Sequence, residues 1–212
     1  ALLHPNAHMK KPITLQQVLE AKPIAEPLGM LDCCLLSDAG GAFIVTSAER
    51  ARDLKCKPVY LQGIGEFHTH EHFMCAPSLT EFGATESGRL AYKMAGLGPQ
   101  DIDFAELYDC FTIVPIIEAE EMGFCKPGEG GALFAEGHTR IGGKLPVNTH
   151  GGMLSHAHAG AAGGLFGIVE AVRQLRGGLG PRQVKDAEVA LVHNEGAILS
   201  THCTVILSNA KG

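Results

Sequence analysis

The chain has 212 residues, 45% of them hydrophobic and 19% charged, with a formal net charge of −6. That length buries a real core, as one large domain or two small ones. The acidic balance and the scattered lysines and arginines argue against nucleic-acid binding, and no apolar run approaches the ~20 residues of a membrane span.

Residues 1–13 are an irregular lead-in. Thr14-Leu-Gln-Gln17 has the form of a capping box opening a short helix, which Lys22-Pro23 stops. Leu31–Leu36 is apolar, Asp38–Gly41 a tight turn, Ala42–Thr46 a buried strand, and Ser47–Leu54 a short helix capped by Ser47. That strand has no companion before residue 57, so it joins the later strands or belongs to a domain only partly contained here.

From Pro58 the pattern is regular. Pro58–Gly63 is a strand, followed by the polar, histidine-rich GEFHTHEHF. Ser87–Ala95 is a helix ended by Gly96, and Phe104–Tyr108 a strand. Residues 111–122 form a helix that tolerates Pro115 only near its first turn. After a long glycine-rich loop comes a strand near Leu145–Asn148. A later helix places Leu165, Ile168, Val169, Val172 and Leu175 on one face, and EVALVHN and ILSTHCTVIL form a hairpin about Glu195-Gly196. The order β-α-β-α-β-α-β-β predicts an α/β fold with a mixed sheet covered by helices.

Seven cysteines, with no CxxC pair and no disulfide-like spacing, fit reduced thiols. With no signal-peptide pattern at the start, they predict a cytoplasmic protein, or a peroxisomal one if the source is eukaryotic.

The densest chemistry lies in PVNTHGGMLSHAHAGAAGGLFG, where His150, His156 and His158 fall within nine residues among glycines and alanines. Small residues admit close backbone approach, and imidazole moves protons near neutral pH. His68, His70 and His72 alternate as zinc ligands would, but with no fourth ligand at a suitable spacing they fit an exposed charged loop better. Lys126–Gly131 matches no phosphate loop and is expected to be a mobile loop at the mouth of the site.

AELYDCFT, GFCKPGEGG, LPVNTHGGMLSHAHAGAAGG and ALVHNEGAILSTHCTVIL, in that order, resemble the thiolase superfamily, in its lipid-transfer-protein, SCP-x-like (acetyl-CoA acetyltransferase-like) branch. The resemblance implies stacked αβαβα layers built from two similar halves. Residues 1–56 are then the end of an incomplete first half, and residues 57–212 the second. The family's nucleophilic cysteine lies in the first half, and none of the seven cysteines here matches its motif.

The same resemblance implies roles for particular residues. His158 sits at the family's spacing after Gly151-Gly152, where an imidazole assists thiolate formation and donates to the thioester oxygen; here Ala159 replaces the family's proline and His156 lies two residues before. Tyr108 stands where conventional thiolases carry Asn or His in an oxyanion hole, a substitution resembling retro-aldolases that shorten sterol side chains attached to CoA. Asp109 is expected to cap the following helix. Aligning on Gly196, whose backbone N–H would serve an oxyanion hole, puts Asn194 in place of the second catalytic cysteine, while His193 and His156 are accessory candidates.

The implied function is an acyl-CoA-processing enzyme of acyltransferase or thiolase type that makes or cleaves a C–C bond beside a CoA thioester. The alternatives are a retro-aldolase acting on a β-hydroxyacyl-CoA and a non-catalytic acyl-CoA-binding or lipid-binding subunit. No permanent cofactor or metal is implied, coenzyme A being part of the substrate. The implied partners are a second copy of the chain and a small OB-fold or zinc-ribbon protein.

Overall fold

The structure is a computed structural model that describes residues 1–210. The chain opens with α1 (Leu15–Leu19), whose capping box forms as read: Thr14 Oγ1 accepts from the Gln17 N–H at 3.2 Å, and Gln17 Oε1 accepts from the Thr14 N–H at 2.8 Å. A small hairpin of β1 (Pro23–Ala25) and β2 (Leu28–Gly29) follows. Helix α2 (Ala48–Arg52) is capped by Ser47, as its sequence indicates.

Residues 42–46 do not form the buried strand expected of them. They carry no ladder among the described residues, and Ile44 and Val45 are 93% and 77% exposed. A β-branched run has strand propensity, but a strand also needs a neighbour for its N–H and C=O groups, and none of the described strands lies beside it.

The main unit comprises β3 (Tyr60–His68), α3 (Ala84–Ala95), β4 (Phe104–Glu106), α4 (Val114–Glu121), α5 (Gly130–Ala135), α6 (Gly152–Ser155), α7 (Gly163–Arg176), β5 (Val189–Gly196) and β6 (Thr201–Ser208). The sheet runs in the order β3-β6-β5-β4, with β4 parallel to β5 and the other pairs antiparallel. The α/β class and mixed sheet match the expectation.

Alternation along each strand sorts the core into two faces. Ala105, Leu191 and Ile206 pack on the α3 and α4 side with Ala91, Ala119 and Met122, whereas Phe104, Ala190, Val192 and Leu207 pack on the other side with Ala171 and Leu175 of α7. The sheet is therefore the middle layer of three.

Several boundaries differ from the sequence reading. Strand β3 continues through Glu66, Phe67 and His68, because β6 is long enough to pair with all of them. His68, His70 and His72 consequently take separate partners: Thr201 and Glu66, Thr69, and the Met74 N–H. The strand near Leu145–Asn148 shrinks to one parallel bridge, Val147 to Ala105.

The glycine-rich loop is not simply open chain. Glu129 Oε2 accepts from the Lys126 N–H, Glu120 Oε1 accepts from the Gly130 N–H, and α5 packs on α4. Helix α4 starts at Val114 with Pro115 in its first turn, where a missing N–H costs nothing.

On α7 the fully buried face is Gly167, Glu170, Ala171, Gln174 and Leu175 rather than the expected apolar stripe. Gly167 explains the rotation: a Cβ there would already stand 3.2 Å from Glu106 Cβ and Val192 Cγ1, so the helix lies close on the sheet at that point.

The tightest helix–sheet approach is at β3, where a Cβ on Gly65 would fall 1.9 Å from the Ser87 carbonyl oxygen of α3. Backbone cannot yield there as a flexible side chain would. Gly65→Ala should destabilise the fold by about 2 kcal/mol through overpacking, read as a lower urea midpoint at unchanged m-value.

Candidate active site

The site assembles where β4 ends. Asn148, in a left-handed conformation (φ 52°), accepts the Leu107 N–H on its side chain at 2.8 Å and donates its own N–H to the Ala105 carbonyl at 3.0 Å. This ties the chain leaving β4 to the start of the histidine loop. Asp109 makes the second tie. Its carboxylate accepts the Met153 N–H at 2.6 Å and the Leu154 N–H at 3.4 Å, so it caps α6 and not the following helix. The two motifs lie together in space, and that decides which backbone donors Asp109 meets. Only glycine fits at 152, where φ is +65° and a Cβ would sit 1.9 Å from Asp109 Oδ2. Burial raises Asp109 to about 6, opposed by the Met153 N–H.

His158 follows α6. Its backbone pairs with Ser37, which donates its N–H to the His158 carbonyl at 2.9 Å and accepts the His158 N–H on Oγ at 3.3 Å. The ring bridges two groups: Nε2 lies 3.1 Å from Tyr108 Oη, and Nδ1 lies 3.4 Å from Cys34 Sγ. The rings of Tyr108 and His158 meet edge-on, with centroids 6.0 Å apart. With the imidazole proton on Nδ1 facing the thiol, Nε2 is free to accept from the phenol.

Cys34 reaches the site because residues 33–37 run between the two motifs: its N–H donates to the Cys110 carbonyl at 2.9 Å, and the Leu35 N–H to the Met153 carbonyl at 3.2 Å. Burial raises both Cys34 and Tyr108 above their ordinary values, so each holds its proton at neutral pH.

The three histidines of the loop do different work. His150 Nδ1 lies 2.7 Å from Glu106 Oε2; burial is the largest influence and resists its charge, but Glu106, with Asp109 and Glu170 adding to it, raises it on balance. His156 packs edge-on against His4, His150 and Phe166, and burial with its histidine neighbours lowers it to about 4. It is a packing residue here, away from Tyr108. His193 is also turned away: it is 1% exposed, stacks on His202, lies 2.8 Å from Thr204 Oγ1, and is held neutral by burial. Asn194 Nδ2 donates to the Gly164 carbonyl at 3.3 Å, against the start of α7. Gly196 ends β5 with open space around its Cα.

Sequence reasoning missed Cys34, Glu118 and Glu195. Glu195 Oε1 accepts from the Cys110 thiol at 3.4 Å, and Glu118 Oε2 accepts the Tyr108 N–H at 2.9 Å. The lone signal for Glu118 was its place within the otherwise apolar start of α4. Neither Cys34 nor Glu195 belongs to a spacing that announces it. Among the described residues, no group of three or more His, Cys, Asp or Glu is arranged to hold a metal ion, and no helix is long and apolar enough to cross a membrane.

A three-layer α/β unit that holds a buried-edge tyrosine against a glycine-loop histidine matches the "Thiolase C-terminal domain-like" family over residues 65–209. An acetyl-CoA acetyltransferase of Methanothermobacter thermautotrophicus is 39% identical over 97% of this chain and 54% of its own length. Sterol carrier protein 2 of Rattus norvegicus is 35% identical over 91% of this chain and 36% of its own. Among solved structures, an Ltp2-ChsH2(DUF35) aldolase superposes with a TM-score of 0.86 at 34% identity, covering 100% of this chain and 56% of that one. The chain belongs to the thiolase superfamily, as a member similar to sterol carrier protein 2. It spans about half the length of the acetyltransferase and of the aldolase chain.

Proposed function

We propose that the chain supplies the acid–base part of a thiolase-like enzyme that makes or cleaves a C–C bond beside a CoA thioester, and that it works in the aldol direction on a β-hydroxyacyl-CoA. The observation that carries this reading is the 3.1 Å contact between Tyr108 Oη and His158 Nε2. A substrate hydroxyl that meets the phenol oxygen gives up its proton there while the phenol passes its own to the imidazole. The Cα–Cβ electrons then move onto the thioester as an enolate, the β-carbon leaves as a ketone or aldehyde, and the α-carbon takes up a proton. In this reading the Gly196 N–H at the end of β5 serves the enolate oxygen. Asn194, in place of a cysteine, cannot act as the carbon base that condensation requires. The similarity to an aldolase structure over the full chain supports the same direction.

A thiolytic reading rests on the 3.4 Å contact between His158 Nδ1 and the Cys34 thiol. It is weaker, because burial pushes Cys34 up and keeps it protonated.

Residues 1–56 and 57–212 are assigned as parts of two thiolase-like halves. The exposed apolar run at Phe43–Val45 supports this, since it offers strand edges to a neighbour. In this reading the protein works without a permanent cofactor, as a homodimer in the cytoplasm, or in the peroxisome of a eukaryote. It pairs with a small partner subunit of the kind that the DUF35 in the aldolase's name suggests.

The test incubates the intact native protein with a β-hydroxyacyl-CoA and, separately, with a β-ketoacyl-CoA plus CoA. Cleavage of the first is expected; cleavage of the second alone would overturn the aldol direction, and turnover of neither would leave a binding subunit.

A further inference from the structure

We propose that half-buried Glu195 and buried Glu118 form a carboxyl pair that stores a proton for the Tyr108–His158 centre and delivers it through the Cys110 thiol. This rests on the aldol reading above and assigns the source of the proton that the α-carbon needs. Glu195 acts through Cys110 and is therefore a positioning and relay residue.

The argument starts from unsatisfied atoms. Glu195 Oε1 faces Cys110 Sγ, but its Oε2 is buried with no hydrogen-bond partner. Glu118 is 2% exposed; its Oε2 takes the Tyr108 N–H, while its Oε1 is buried without a hydrogen bond. A buried carboxylate oxygen with nothing to donate to it is costly, and a carboxylic acid is the form that such a site tolerates.

No cation compensates the pair. From β5, His193 stands 3.7 Å from Glu118 Oε1 but is held neutral by burial, and His202 of β6, stacked on it, is lowered as well. The other side chains that act on the pair are acidic or neutral, Glu121 of α4 and Asp109 and Cys110 of the loop after β4, and the Leu199 N–H at Glu195 and the Tyr108 N–H at Glu118 oppose the rise only in part. Two carboxyls in such surroundings cannot both ionise at moderate pH. Burial is the larger cause for each, with Glu195 adding to the rise of Glu118, which lies well above the ordinary value; Glu195 is raised to about 7.

Glu195 is thus the member that gains and loses a proton near neutrality. Its neighbour Cys110, raised by burial and then by Glu195, stays a thiol, and both act on Tyr108. The transfer balances. The Cys110 S–H bond breaks as the α-carbon C–H bond forms, and the Glu195 O–H proton moves to the sulfur. The proton that the substrate hydroxyl left on His158 then returns to the Glu195 carboxylate through solvent, so the cycle consumes none.

The test combines infrared spectroscopy with kinetics on the intact native protein. A protonated-carboxyl band should disappear with a midpoint near pH 7, separate from that of Asp109 near 6, and Glu195→Gln should remove it; a Glu195→Gln variant that keeps every carboxyl titration of the wild type would overturn the pair. With a β-hydroxyacyl-CoA, Glu195→Gln should lower kcat about a hundredfold and abolish the fall in activity above pH 7. Glu195→Asp should retain that fall, and Glu118→Gln, which keeps a neutral side chain beside Glu195, should leave it near pH 7. A Glu195→Gln variant that cleaves the substrate with the wild-type pH profile would overturn the relay alone. A wild-type enzyme whose infrared titration is present but which cleaves only β-ketoacyl-CoA would overturn the aldol reading, and with it the delivery step, while leaving the pair standing.

Discussion

Tyr108→Phe should lower kcat for cleavage of a β-hydroxyacyl-CoA by about 10³-fold with little change in KM, because it removes one oxygen and leaves the ring in place. The phenol both meets the substrate hydroxyl and hands its proton to His158 Nε2 at 3.1 Å. Without it the imidazole stands one atom too far away to collect that proton. His158→Ala should cost about as much, because it removes the acceptor and leaves a phenol that burial keeps protonated. Since the two side chains form one path, the double variant should be hardly worse than either single one, and a double-mutant cycle should return a coupling close to the full single effect. Additive losses would show that the two act independently. Neither change should alter folding much: Tyr108 is only half-buried, and its backbone N–H bond to Glu118 does not involve the hydroxyl.

Much of the scaffold behind this pair could be read from the chain alone, and the reasons differ by element. The β5–β6 hairpin and α3 with its left-handed Gly96 stop are local in sequence, so alternation, helical period and cap chemistry identify them. The N-terminal capping box is legible for the same reason. Residues 42–46 mislead because strand propensity is local whereas a ladder partner is not. Strand β3 outruns its apolar signal because β6, more than 130 residues further on, supplies hydrogen bonds to Glu66 and His68.

The site divides in the same way. Tyr108 and His158 stand out within motifs, while the partner of Asp109 depends on how β4 meets the glycine loop. Cys34 and Glu195 lie 124 and 85 residues from the groups they touch, and no spacing rule spans that distance.

Beneath the histidine loop, polar burial sets a second large expectation. Arg182→Ala should destabilise the protein by about 3–5 kcal/mol, the range for breaking one side of a buried ion pair, and lower Tm by roughly 6 °C or more. Arg182 and Glu170 are 4% and 2% exposed, and the guanidinium bonds directly to Glu170 Oε1. Around them Gln174 Nε2 donates to Thr149 Oγ1 at 3.0 Å and to the Arg182 carbonyl at 2.8 Å, and Thr149 Oγ1 lies 2.8 Å from both Glu170 Oε1 and Glu106 Oε1. Glu106 in turn holds His150. Removing the cation leaves Glu170 charged in a buried site with only neutral donors, and the network it belongs to anchors Thr149 and His150 at the start of the loop that carries His158. The variant should therefore lose activity as well as stability, although Arg182 itself touches neither Tyr108 nor His158. The pair Arg182→Met with Glu170→Leu separates the two effects: it removes the unpaired charge and should recover most of the lost stability. The Thr149–Gln174 bond that it leaves intact decides how much of the loop's position, and so of the activity, returns with it.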